Sequence, residues 1–278
     1  MMRGPRSFFS YKTLAFSLRP GVLAFAFIFV TAVRAGEPTT RPKGESRDVW
    51  LLHLPGIGGE MPIDHNMTAG LKEGGFPGTI EIYDWTENDP GLAALLAHER
   101  NEREATKISR MIEKRLKENP KLKITLTSHS AGTGLAVWAL EKLPEGMQVQ
   151  TLVLLASALS PRYDLTEALK HVRGNAYLYY SNGDTLVLGA GTKMFGTVDG
   201  VKSESAGLVG FSPPQSADPK QYEKLVQVPY DKAWLKYNDD GDHIGCMSRS
   251  FAKHVLAPVV IEGLATSRNS HPSDGTGE

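Results

Sequence analysis

The chain has 278 residues, with 31 basic and 31 acidic side chains and a single cysteine, Cys246. One cysteine excludes an internal disulfide, and balanced charge without a basic stripe argues against a nucleic-acid partner. The sequence contains no internal repeat and no His or Cys cluster of metal-ligand spacing, so no metal or organic cofactor is implied.

Residues 1–35 read as an export leader. Arg3, Arg6, Lys12 and Arg19 make a positive start with no acidic residue, and GVLAFAFIFVTAV (Gly21 to Val33) is a short apolar run. Val33 and Ala35 supply the small residues that a signal peptidase recognises, which places the cut after Ala35. A membrane span needs about 20 apolar residues, more than this run offers. The expectation is an exported protein, periplasmic or secreted, with no stable membrane insertion once the leader is gone; the alternative is an uncleaved N-terminal anchor. Loss of the leader and its five basic residues, counting Arg34, leaves 26 basic against 31 acidic side chains, a mildly acidic chain.

Residues 36–47 (GEPTTRPKGESR) form a polar linker, residues 48–265 a single domain, and residues 266–278 a disordered tail. Six segments read as strands: Asp48 to Gly56, Thr79 to Trp85, Leu122 to Ser128, Val149 to Leu159, Asn175 to Asp184 and, more weakly, Val226 to Tyr230. Helical patterns alternate with them. Ile108, Met111, Ile112 and Leu116 share one face of a helix that stops at Asn119-Pro120, and Gly91 to Arg103 is either the start of that helix or a flap. Leu135, Trp138 and Ala139 lie on the next helix, Leu165 to Val172 on a shorter one, and Phe251 to Leu264 on a last helix interrupted near Pro258. Apolar strands alternating with helices predict a mostly parallel central sheet with helices on both faces, an α/β fold. Ligands of such sheets sit at the C-terminal strand ends, so the loops after Gly56, Ser128, Leu159, Asp184 and Tyr230 are where a site is expected.

ITLTSHSAGTGLAVWAL (Ile124 to Leu140) passes directly from strand to helix through Ser130. Ser128 and Gly132 are small on either side, and Ala131 and Gly134 let the helix pack closely. A plain helix N-cap does not need small residues on both sides. They fit a sharp turn that presents the serine hydroxyl at a helix N-terminus, where backbone N–H groups and the helix dipole favour a developing anion. LPGIGGE (Leu54 to Glu60) puts glycines after the first strand, so that backbone N–H groups can approach a ligand; the alternative is a plain turn. It lacks the Gly-Lys-Ser/Thr ending of a phosphate loop, and GAGTKMFG (Gly189 to Gly196) lacks the spacing of a dinucleotide loop.

SHSAG resembles the G-x-S-x-G motif of the α/β-hydrolase family, with Ser128 in place of the first glycine, and LPGIGG resembles its His-Gly-x-Gly-Gly loop, with Pro55 in place of the histidine. The resemblance implies an α/β-hydrolase fold, Ser130 as nucleophile, and an oxyanion hole from the backbone N–H groups of Ile57 and Ala131. The family order of Ser, then acid, then His implies Asp184, after the fifth strand, as the acid, with Asp164 and then Asp199 behind it. It implies His243, in NDDGDHIGCMS before the last helix, as the base. His129, beside the serine, is expected to point away from it. His53 is placed inside a strand, His65 on a helix surface, His98 and His171 on charged helical stretches, His254 on the last helix and His271 in the tail. Cys246 reads as a buried packing residue. Residues 186–225 form an insertion near the site mouth, either a lid or a neighbour of the pocket. The implied function is an exported serine hydrolase acting on a small-molecule or lipid ester, with a thioesterase, an amidase or peptidase, an acyltransferase, or a non-catalytic binding protein as alternatives on the same fold.

Overall fold

A computed structural model describes residues 45–184 and 196–265. The leader, most of the linker, the tail and the first part of the insertion lie outside the described residues. The six strands are β1 (Ser46–Leu54), β2 (Gly78–Ile82), β3 (Lys123–His129), β4 (Thr151–Leu155), β5 (Ala176–Tyr180) and β6 (Leu225–Pro229). Every pairing among them is parallel, and their order across the sheet is β2-β1-β3-β4-β5-β6. The strand β1 begins at Ser46, two residues ahead of the predicted start, and β4 ends at Leu155, where the chain turns at Ala156 with a φ of 46°.

The chain order fixes the layers. From β1 the chain runs through α1 (Pro62–Glu73) to β2 on one side, then back through α2 (Leu92–Leu96) and α3 (His98–Glu118) to β3 on the other side. Because such crossovers are right-handed, the reversal puts α1 and α3 on opposite faces. The later steps, through α4 (Gly132–Glu141) to β4 and α5 (Thr166–Lys170) to β5, continue in the direction of α3 and share its face. On the other face α1 packs against the C-terminal helix. The strand order therefore switches at β1, between the loops after β1 and β3, and such a switch point is where an open α/β sheet forms a crevice.

Gly91 to Arg103 proves to be α2 and the first turn and a half of α3. The described part of the insertion is not detached from the core: Val198, Ala206, Leu208 and Phe211 are buried in it. Its backbone bonds to the ends of β4 and β5, Val198 N–H to Ala158, Ala206 N–H to Leu159, Gly207 N–H to Ser157 and, in return, Ser181 N–H to Gly207. The last helix has the expected interruption. Arg249–Phe251 leads into a wide π-type turn at Ala252–Leu256 before Ala257–Ala265 resumes as α-helix. Pro258 has no N–H to return to His254 four residues back, and the wide turn absorbs that missing bond. Among the described residues, no helix is long and apolar enough to cross a membrane.

Candidate active site

Ser130 sits one residue past β3 with a φ of 53°, a left-handed conformation that costs a residue with a side chain about 1 kcal/mol or more. The surroundings hold it there. Its N–H donates to the Leu155 carbonyl at 3.0 Å, and its own carbonyl accepts from Thr133 Oγ1 at 2.6 Å, Thr133 N at 3.1 Å and Ala158 N at 3.2 Å. The hydroxyls of Thr133 and the fully buried Ser157 are 3.0 Å apart and brace that carbonyl from behind. The small residues are needed at close approaches. Ser128 is fully buried between Leu54 of β1 and Leu154 of β4, and a Cβ on Gly132 would run into the carbonyls that end β1.

The imidazole of His243 lies between the serine and a carboxylate. Its Nε2 is 3.0 Å from Ser130 Oγ, and its Nδ1 is 2.6 Å from Asp184 Oδ2. With the carboxylate accepting from Nδ1–H, Nε2 keeps its lone pair for the serine proton. Asp184 is almost fully buried at the end of the turn after β5. The other two carboxylates considered in the sequence are engaged elsewhere. Asp164 accepts from Thr166 N and Ser216 Oγ, and Asp199 from the N–H and hydroxyl of Ser160. The loop that carries His243 is tied down on both sides of it: Ser181 Oγ donates to the Gly241 carbonyl at 2.6 Å, and Asp242 accepts from the N–H groups of Ile244 and Gly245. Burial pushes the Asp239 carboxyl of this loop up to about 6.

The glycine loop after β1 lies against the serine. A Cβ on Gly56 would stand 3.2 Å from the Ser130 Cβ, so the loop passes at van der Waals distance only because Gly56 lacks a side chain. The loop is fastened by Trp85 Nε1 donating to the Pro55 carbonyl at 2.8 Å, Gly91 N to Ile57 O at 2.6 Å and Glu60 N to Asp84 at 3.2 Å. Ala131 is the buried first residue of the turn into α4, whose N-terminus faces the serine.

His129 has a partner that the sequence did not indicate. Its Nε2–H donates to the main-chain carbonyl of His243 at 2.9 Å, and the two rings lie 4.8 Å apart. A second buried His–Asp pair was also missed. His53 on β1 bonds Thr127 Oγ1 on β3 at 3.0 Å and Asp64 on α1 at 2.9 Å, while the other oxygen of Asp64 accepts from Met61 N at 2.8 Å. Burial opposes ionisation of Asp64, yet the hydrogen bond and charge of His53 and the Met61 N–H outweigh it and hold the carboxyl below its ordinary value. A polar side chain inside the apolar run VWLLHLP was the available signal, because a buried ring needs partners. His65 is exposed beside Glu60, His171 bonds the Met147 carbonyl and His254 stacks on Tyr237. Cys246 is buried, and burial drives its thiol well above the usual range, which suits packing and not a thiolate. Among the described residues no group of three or more His, Cys, Asp or Glu is placed to hold a metal ion.

No family model matches this sequence, and no curated protein matches it. Solved structures do. A cutinase-like protein from Cryptococcus sp. shares 16% identity over 80% of this chain and 99% of its own, with a TM-score of 0.39. Zea mays acyl-protein thioesterase 2 shares 12% over 81% and 97%, with a TM-score of 0.46. Aspergillus fumigatus lipase B shares 11% over 83% of this chain and 55% of its own, with a TM-score of 0.47. The parallel sheet switching at β1, the serine on a strained strand-to-helix turn, and an acid and a histidine following it in chain order are this molecule's own features. Together they give the chain the α/β-hydrolase fold.

Proposed function

We propose that this chain is an exported serine hydrolase that cleaves carboxylic esters through an acyl-enzyme. The observation that carries the proposal is the unbroken hydrogen-bonded line from Asp184 through His243 to Ser130 Oγ. In the first half-reaction Ser130 Oγ attacks the ester carbonyl carbon while His243 Nε2 takes the hydroxyl proton. The tetrahedral oxyanion is held by the N–H groups of Ala131 and Ile57, and the C–O bond to the alcohol breaks as His243 returns the proton to the departing oxygen. Water then adds to the acyl carbon with His243 again as base, and Ser130 leaves with its proton restored. Asp184 keeps the imidazole in the tautomer this requires and stabilises the imidazolium that forms.

Export rests on the leader, with its positive start, apolar run and small residues before the cut. The thioesterase, amidase and acyltransferase alternatives share the acyl-enzyme, so matched ester, thioester and amide substrates, with and without an added alcohol acceptor, separate them. The experiment that tests the central claim is labelling by a fluorophosphonate followed by intact mass. Wild type gains one adduct, and Ser130→Ala and His243→Ala gain none on the same time scale. Equal labelling of Ser130→Ala overturns the nucleophile, and no labelling of folded wild type favours a binding protein.

A further inference from the structure

His129 and Ser130 are neighbours in the chain, and His243 arrives from 113 residues later. Two bonds close a small ring between them. One is the serine-to-imidazole bond of the proposed chemistry. The other runs from His129 Nε2–H to the main-chain oxygen of His243 at 2.9 Å. A carbonyl only accepts, so Nε2 of His129 carries the proton and Nδ1 is bare. The bare side lies near Gly56, where a Cβ would come 3.4 Å from Nδ1, so the glycine loop leaves the ring its room. His129 is 6% exposed, and burial, together with any positive charge on His243, holds it far below the usual imidazole range. The groups packed around it are His243, Gly56 and, at longer range, Asp64 and His53. The donor is therefore present at every working pH.

His243 needs such a hold because it lies on no strand. Its loop carries a left-handed Asn238 and Gly241, and the bonds on either side of it fix residues 241, 244 and 245. Asp184 fixes the tilt and tautomer of the ring through Nδ1. Among the described residues, the bond from His129 is the one that ties the main chain of His243 to the sheet. We propose that His129 is a positioning residue that sets the distance from the base to the nucleophile by gripping the backbone of His243 from the nucleophile strand. The inference rests on the proposed role of Ser130 and His243.

The test compares His129→Gln with His129→Met in the otherwise intact mature protein. The two side chains have similar length and volume, and only glutamine donates a hydrogen bond. The readouts are kcat and KM on a short p-nitrophenyl ester and the second-order rate of fluorophosphonate acylation. A misplacement of about 1 Å lowers such rates about 100-fold. The expected result is a fall in kcat of about 10- to 100-fold for His129→Met with KM within about twofold of wild type, and recovery to within about fivefold in His129→Gln. Equal kcat in the two variants, or a change confined to KM, overturns the proposal. If His129→Met does not fold, His129→Asn replaces it, since its shorter amide falls short of the carbonyl, and parity of Asn with Gln overturns the proposal just as well. Ser130→Ala run alongside keeps the failures apart. If it labels like wild type, the catalytic reading itself is wrong; if it is inert while His129→Met acylates at the wild-type rate, only the present inference is.

Discussion

Replacing Gly132 by alanine asks whether the turn at the serine is built as tightly as the coordinates indicate. A Cβ at this position would stand 2.6 Å from the Leu54 carbonyl oxygen and nearer still to that of Pro55. An ordinary carbon-to-carbonyl contact is about 3.3 Å, so the start of α4 and the end of β1 must separate by about 1 Å. Both atoms struck belong to backbone, which has no rotamer to yield. Two effects compete. Alanine gains up to about 1 kcal/mol over glycine in a helix, and less at its first residue. Overpacking of this kind costs about 1–3 kcal/mol, so destabilisation wins. On the proposed mechanism the rate suffers more than the stability, because Pro55 leads directly into Gly56 and Ile57, and a shift of about 1 Å in the proposed oxyanion donor lowers a rate about 100-fold. Gly146→Ala is the control. That residue has a φ of 79° and nothing within 4 Å of a built Cβ, so the variant loses about 1 kcal/mol from backbone strain and keeps its rate. Urea unfolding gives the stabilities, and fluorophosphonate acylation of the folded proteins gives the rates. Gly132→Ala acylating within about threefold of wild type would falsify the account of the turn.

Asp64→Ala strands the His53 ring without its carboxylate, and breaking a buried pair by removing one partner costs about 3–5 kcal/mol in urea melts. Because the folded-state value of Asp64 is depressed, its contribution is present above the ordinary carboxylate range and is lost as pH falls through the folded value; the variant should therefore show a shallower acid limb than wild type. Glu141 behaves in the opposite sense. Burial raises its carboxyl from 4.5 to about 7, against the hydrogen bond from Tyr163, so the folded state holds the proton more tightly and stability falls as pH rises across that window. Glu141→Gln should remove that fall, on the order of 1–2 kcal/mol once solvent on its exposed side is allowed for, and a variant whose stability tracks wild type from pH 5 to 8 argues against it. Asp184→Asn leaves the geometry in place but lets the imidazole take the wrong tautomer, and kcat on an activated ester should drop about 10⁴-fold.

These perturbations fall on residues of differing legibility. The turn at Ser130 could be read in advance because its demands are local: an apolar strand, two small flanking residues and a helix within seventeen letters. Asp184 and His243 were reached through chain order, and the pairing of residues 59 apart was then a matter of where β5 and the last loop end. The helix α1 was given no bounds in the sequence, only a helix-surface place for His65, although Pro62 at its start and Asp64 in its first turn are helix signals. Its glycines hid it. A Cβ on Gly70 would come 2.8 Å from the Ala252 methyl, and one on Gly74 would come 2.7 Å from the Lys253 carbonyl, so two glycines let the C-terminal helix cross closely. In one dimension the same glycines look like a loop. His53 and His129 were underrated for a related reason. His53 stands among apolar letters and His129 between two serines, and their partners, Asp64 on a helix and a carbonyl 114 residues away, are set by strand register and by where distant loops land. Burial without a partner is costly enough that such a residue announces a long-range bond. Which bond it makes is decided only when the sheet is assembled, and in this chain both of those bonds end at segments that frame the serine: the start of α1 behind the glycine loop, and the main chain of His243.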